Sequence, residues 1–122
     1  MDKPVNQIVW CDIPAINLDR AIKFYSPVLG MKIEKQAYSG KEFAAFGHEN
    51  GVGACLFAGD EIQPSAHGPL VYLNCQGRLD AAAAAVEPNG GKIVQPKHQI
   101  GPYGFRVLIL DSEGNRVALH ST

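Results

Sequence analysis

A chain of 122 residues with 46% apolar and 19% charged side chains has the length and composition of one globular domain with a core of its own. Its formal net charge of −1, with lysines and arginines scattered, gives no electrostatic basis for binding nucleic acid or a membrane surface. No apolar run approaches the roughly 20 residues a membrane span needs. Three widely spaced cysteines, Cys11, Cys55 and Cys75, argue against a disulfide framework or a zinc-type pairing and read as small buried hydrophobes. The opening Met1-Asp2-Lys3-Pro4 lacks the pattern of a signal peptide, so the expected location is the cytoplasm.

In chain order, Gln7 to Ile13 is β-branched and aromatic and predicts a strand, ended by Pro14. Asn17 is an N-cap residue, with Arg20 standing where a capping box would want an acid. Leu18, Ala21, Ile22, Tyr25, Val28 and Leu29 recur at helical spacing, and Pro27 is expected to limit the regular helix to about two turns. Gly30 is a natural stop. Met31 to Tyr38, Glu42 to Phe46 and Val52 to Phe57 predict three more strands, separated by turns at Ser39-Gly40 and at 47–51.

Asp60 to Gly68 is a polar connection. Beyond it come a strand at Leu70 to Cys75, an alanine-rich helix at Arg78 to Val86, a stop at Asn89-Gly90-Gly91 and a strand at Lys92 to Gln95. Gln99 to Gly104 predicts a loop, followed by strands at Phe105 to Leu110 and Arg116 to His120 about the turn 111–115. Both halves therefore read β-α-β-β-β. Leu18-Asp19 and Pro27 find their counterparts in Leu79-Asp80 and Pro88 at a constant offset of half the chain, the mark of a duplicated unit.

Three stretches resemble one family. Residues 17–25 with 28–33, the Asn-Gly-Gly at 89–91, and Asp-Ser-Glu-Gly-Asn-Arg-Val-Ala-Leu at 111–119 resemble, in order, motifs of the glyoxalase / bleomycin-resistance / dioxygenase superfamily, the vicinal oxygen chelate fold. The resemblance implies an α+β fold. Two βαβββ modules, about 5–58 and 69–121 of a single domain spanning 1–122, form a curved mixed β-sheet around a central cleft, with helices on the outer face. It also implies a homodimer.

Enzymes of that family hold a divalent metal on the first and fourth strands of each module. Counted from Leu18-Asp19-Arg20, those positions fall on Trp10, Ala54, Leu70 and Ala118, none of which can ligate a metal. The expectation is a site without metal or other cofactor. His48, His67 and His98 are expected in turns and loops, which leaves His120 as the histidine on a cleft-facing strand.

Strand parity proposes a lining of Trp10, Asp12, Tyr72, Asn74, Arg106 and His120, with Tyr103 on a lid loop. The same construction puts Glu42 in the cleft as the counterpart of Arg106 and turns all three cysteines toward the helices. An aromatic floor with few polar anchors is the character of a small-molecule site. Trp10 and Tyr72 would stack on a planar ligand and Arg106 would hold an anionic group. The expected function is metal-free small-molecule binding. The rivals are an enzyme (a lyase, isomerase or dioxygenase with atypical metal ligands, or acid–base catalysis by His120, Asp12 or Glu42) and an interaction domain with a filled pocket.

Overall fold

A computed structural model describes residues 6–122; the reading of Met1 to Pro4 and the start of the first module at residue 5 lie outside them. The order is β1 (Trp10–Pro14), α1 (Leu18–Leu29), β2 (Gln36–Tyr38), β3 (Lys41–Ala45), β4 (Gly53–Ala58), then β5 (Val71–Asn74), α2 (Leu79–Val86), β6 (Lys92–Gln99), β7 (Phe105–Leu110) and β8 (Arg116–Ser121). Short 3₁₀ turns occupy Glu87–Asn89 and Gly101–Tyr103. Each half forms a four-stranded mixed sheet, ordered β1-β4-β3-β2 and β5-β8-β7-β6, in which the first strand runs parallel to the fourth. The α+β architecture of two βαβββ modules is thus as expected. No helix among the described residues is long and apolar enough to cross a membrane.

Each sheet buries one face under the helices. Ile13, Ala44, Phe46, Ala54 and Leu56 of the first module and Leu73, Val107, Ile109, Val117 and Leu119 of the second join Phe24, Tyr25, Val28, Leu79, Ala82 and Val86 in one core. Gly91 is required where the modules meet: a Cβ there would lie 2.4 Å from the Phe24 ring and 2.6 Å from the Leu110 carbonyl oxygen.

Several local expectations are corrected. α1 runs through Pro27 to Leu29, because a proline in the last turn forfeits one backbone bond while Tyr25, Val28 and Leu29 still gain burial in the core. The strand expected from Met31 shrinks to Gln36–Tyr38. β6 continues past the expected end at Gln95 to Gln99, the first residue of the expected loop, with bulges between Ile93 and Gln95 and between Gln95 and His98.

Ala54 and Glu42 do not face the cleft. The β1–β4 register sets Asp12 beside Cys55, and the β3–β4 register pairs Ala44 with Leu56 and Glu42 with Ala58. Ala54 therefore packs in the core, and Glu42 lies at the margin of that same face, where Lys35 links it to Asp19 of α1. Cys55 takes the cleft side instead, hydrogen-bonded to Asp12. By strand position its counterpart in the second module is Ala118, and Phe43, not Glu42, is the counterpart of Arg106.

The second module holds α1 at both ends. Glu113 Oε1 accepts from the backbone N–H groups of Ile16 and Asn17 at 2.9 and 2.8 Å, and its carboxylate takes the Arg20 guanidinium at 2.7 and 3.0 Å. At the other end Arg78 Nη1 donates to the Val28 carbonyl at 2.6 Å. Burial pushes the Glu113 carboxyl up, but Arg20, the Asn17 N–H and Ser112 outweigh it and hold it below the ordinary value. Its contribution to stability is therefore full above the usual glutamate value of 4.5 and is lost as pH falls from there through its own lower one. Glu113→Gln is expected to cost about 2 kcal/mol at pH 7 in urea unfolding, and the gap between variant and parent is expected to narrow toward pH 3.

Candidate functional site

The second module offers the more polar cleft face. Across β5, β8, β7 and β6 its registers align Asn74 with His120, Arg106 and His98, and next to them Tyr72 with Ala118 and Leu108. Arg106 Nε donates to His98 Nε2 at 2.9 Å and its Nη1 donates to the Tyr72 hydroxyl. The guanidinium carbon stands 5.9 Å from the Tyr72 ring centre, and the His120 ring meets that ring edge-on at 6.1 Å. His120 Nε2 lies 2.7 Å from the Tyr103 carbonyl oxygen, so that nitrogen carries the hydrogen and donates. Among the described residues Arg106 has no carboxylate within ion-pair distance. A positive group is thus fixed in place with no carboxylate partner among the described residues.

The first module's face is aromatic. Trp10 Nε1 donates to Asp12 Oδ1 at 3.1 Å, and the Cys55 thiol donates to the same oxygen at 3.2 Å. Phe43 and Phe57 form a cross-strand pair beyond Cys55. His48, from the β3–β4 turn, meets Trp10 edge-on at 5.3 Å. Burial above all, then the bond to Asp12, pushes the Cys55 thiol up to about 12. Burial also raises Cys11 and Cys75. A thiol so held is protonated at neutral pH and is no nucleophile.

Tyr72, half exposed, connects two depressions. One, of about 680 Å³, runs along the module boundary between Tyr72 and Asn74 on one side and His48, Val52 and Met31 on the other. The second, of about 420 Å³, is lined by Tyr72, Ile100, Tyr103 and His120. Of the residues expected to line the cleft, Tyr72, Tyr103 and His120 line the second depression, Arg106 stands beside it on the Tyr72 hydroxyl, Asn74 lies at the first, and Trp10 with Asp12 stand on the other module. Parity and turn signals miss two neighbours of the site: His48, at the first depression, whose turn folds the side chain back on Trp10, and His98, brought opposite Arg106 by two register shifts in β6.

The match to a family model decides the family: the model of the glyoxalase/bleomycin resistance protein/dioxygenase superfamily matches residues 7–119. The chain belongs to this superfamily. Solved structures of the same fold include a glyoxalase/bleomycin resistance protein from Albidiferax ferrireducens T118, 18% identical, with 96% of this chain and 99% of that one covered at a TM-score of 0.75. A glyoxalase-related enzyme from Fulvimarina pelagi is 12% identical, with 97% and 89% covered at 0.70. A glyoxylase/bleomycin resistance protein/dioxygenase domain from Frankia sp. EAN1pec is 14% identical, with 97% and 93% covered at 0.68. No curated protein matches the sequence.

The metal that enzymes of this superfamily use does not fit these side chains. With the register corrected, the four positions are Trp10, Cys55, Leu70 and Ala118. Cys55 and Asp12 are two adjacent donors, and among the described residues no group of three His, Cys, Asp or Glu side chains is placed to hold an ion. Two donors fall short of the three or four a protein metal site requires.

The protonated state of Cys55 is open to direct test. In the native protein at pH 8, a thiol-specific disulfide reagent is expected to modify Cys55 about a hundredfold or more slowly than in urea, with the labelled cysteine read by mass spectrometry.

Proposed function

We propose that this protein binds a small organic acid in its cleft, without a metal. The ligand's acidic group meets Arg106 and its aromatic or apolar body lies against Tyr72 and Tyr103. The observation that carries this reading is the Arg106 guanidinium, held by His98 and Tyr72 and lacking a carboxylate partner among the described residues. A cation immobilised beside an aromatic ring, over Leu108 and Ala118, has the donor set and surroundings that recognise a carboxylate on an apolar body. His120 supplies the neighbouring polar group. Its Nδ1 has no hydrogen-bond partner among the described residues and, with the hydrogen on Nε2, is left to accept from a donor on the ligand.

The reading includes a homodimer. Ile8 and Val9 are 77% and 59% exposed on the approach to β1, and β1 is an outer strand of its sheet. Apolar side chains beside an open strand edge favour a protein partner over water.

Calorimetric titration with 3-phenylpropanoate and 3-phenylpropanamide tests the ligand class. The acid is expected to bind more tightly than the amide, and Arg106→Gln is expected to weaken the acid about tenfold while leaving the amide unchanged. Equal binding of both probes to both proteins would end the acid-binding reading. Metal analysis of the same preparation is expected to find no stoichiometric transition metal. Light scattering is expected to give twice the chain mass of 13.1 kDa; a value equal to the chain mass would remove the dimer.

A further inference from the structure

The partner of Arg106 is set by two bulges. β6 and β7 pair Ile93 with Ile109, Gln95 with Leu108 and then His98 with Arg106, so that β6 advances five residues against three. Continued without shifts from Ile93, the ladder would place Pro96, whose side chain has no acceptor, opposite Arg106. The two extra residues bring His98 there instead, while Lys97 lies on the helix side, where it meets Asp80 at 3.0 Å and lies over the Phe105 ring. His98 Nδ1 stands 2.8 Å from the Pro96 carbonyl oxygen. A carbonyl has no proton to give, so Nδ1 carries the hydrogen and Nε2 keeps the lone pair that accepts Arg106 Nε–H at 2.9 Å. The acceptor is thus specified by backbone geometry on one side and consumed by the guanidinium on the other.

A carboxylate can meet a guanidinium side-on, at Nε and Nη2, or end-on, at the two Nη groups. His98 occupies the first edge. We propose that His98 is a positioning residue that determines specificity: by closing the Nε edge of Arg106 while Tyr72 takes one N–H of Nη1, it presents only Nη2 and the remaining N–H of Nη1, and so selects an aromatic or apolar monocarboxylate bound end-on. This rests on the acid-binding reading above. His98 touches no ligand in this arrangement and acts through Arg106 alone. A phenylalanine at 98 fills similar space without an acceptor, whereas a glutamine keeps one.

Two measurements test it. In ¹⁵N-edited spectra of the unliganded protein, the Arg106 Nε–H is expected to exchange slowly with water, to lose that protection in His98→Phe and to keep it in His98→Gln. Rapid exchange in the parent protein would overturn the proposal before any variant is made. In titrations with 3-phenylpropanoate and 3-phenylpropanamide, His98→Phe is expected to weaken the acid about tenfold with the amide unchanged, and His98→Gln to stay within about threefold of the parent. If Arg106→Gln weakens the acid but His98→Phe does not, or if His98→Phe weakens both probes alike, the positioning role is wrong and the acid site stands. If Arg106→Gln leaves acid binding unchanged, both fall.

Discussion

The fold depends on the way one module completes the helix of the other. A helix leaves its first N–H groups and last carbonyls without partners and carries a partial positive charge at its start and a negative one at its end. Asn17 caps α1 with its side chain, accepting from Arg20 N–H at 3.0 Å. The residue three positions on, where a capping acid would reach back, is Arg20. The acid comes from Glu113 in the last hairpin, 96 residues from Asn17, and takes the N–H that a local glutamate would have taken. At the far end the cation is Arg78, packed where Gly30 leaves room: a Cβ on that glycine would lie 2.8 Å from the guanidinium carbon. An anion at the start and a cation at the end both match the helix dipole, and both come from the second module. The 111–115 turn is shaped for this task, with Asp111 Oδ1 accepting the Glu113 and Asn115 N–H groups and Oδ2 accepting the buried Tyr25 hydroxyl at 2.6 Å.

That clamp breaks the symmetry of the duplication. The turn of the first module at the equivalent place carries His48, Glu49 and Asn50 in place of Asp, Ser and Glu. None of the three makes a side-chain bond to α2 among the described residues, and His48 turns onto Trp10 at the mouth of the cleft. One hairpin fixes the relation of the modules and its counterpart is left to line the site. The two cleft faces diverge in the same way: Asp12, Cys55, Phe57 and Phe43 stand where Tyr72, Ala118, His120 and Arg106 stand in the second module. Aromatic surface and one carboxylate on one side oppose a cation and an imidazole on the other.

The architecture was legible because it is written in periodicity and punctuation. Helical spacing marked α1, and the turn at 111–115 fixed the β7–β8 register, so that Tyr72, Arg106 and His120 were aligned from sequence alone. In the first module the cleft position is Cys55 and not the Ala54 that the count predicts. The residues held a clue to the correct one: Gly51 and Leu56 align with Gly114 and Leu119 at one constant offset, which sets Cys55 against Ala118. His98 was beyond such reading. Two bulges shift the register by two residues over a stretch where sequence shows only a proline and polar neighbours, and what they achieve, setting His98 rather than Pro96 opposite Arg106, becomes visible only with both strands in place. The continuation of α1 through Pro27 has a related cause, since burial in the shared core outweighs one lost backbone bond.

Replacing metal positions by Trp10, Cys55, Leu70 and Ala118 changes where polarity resides in this fold. A metal concentrates charge at the floor of the cleft and obliges a ligand to present oxygen there. Here the floor of the second module is small and apolar, with Ala118 and Leu108 both buried. Its fixed charge has moved along the strands to Arg106, beside the loop that carries Tyr103. On the proposed reading the constraint on a ligand is thereby reversed: its apolar body lies against Tyr72 and Tyr103, and its acidic group lies toward Arg106. Holding a guanidinium in one orientation at a rim requires partners that water would otherwise displace. The two bulges that bring His98 to Arg106, and the hydroxyl of Tyr72 on the other side, are the means by which this sheet keeps a directed charge on its cleft face.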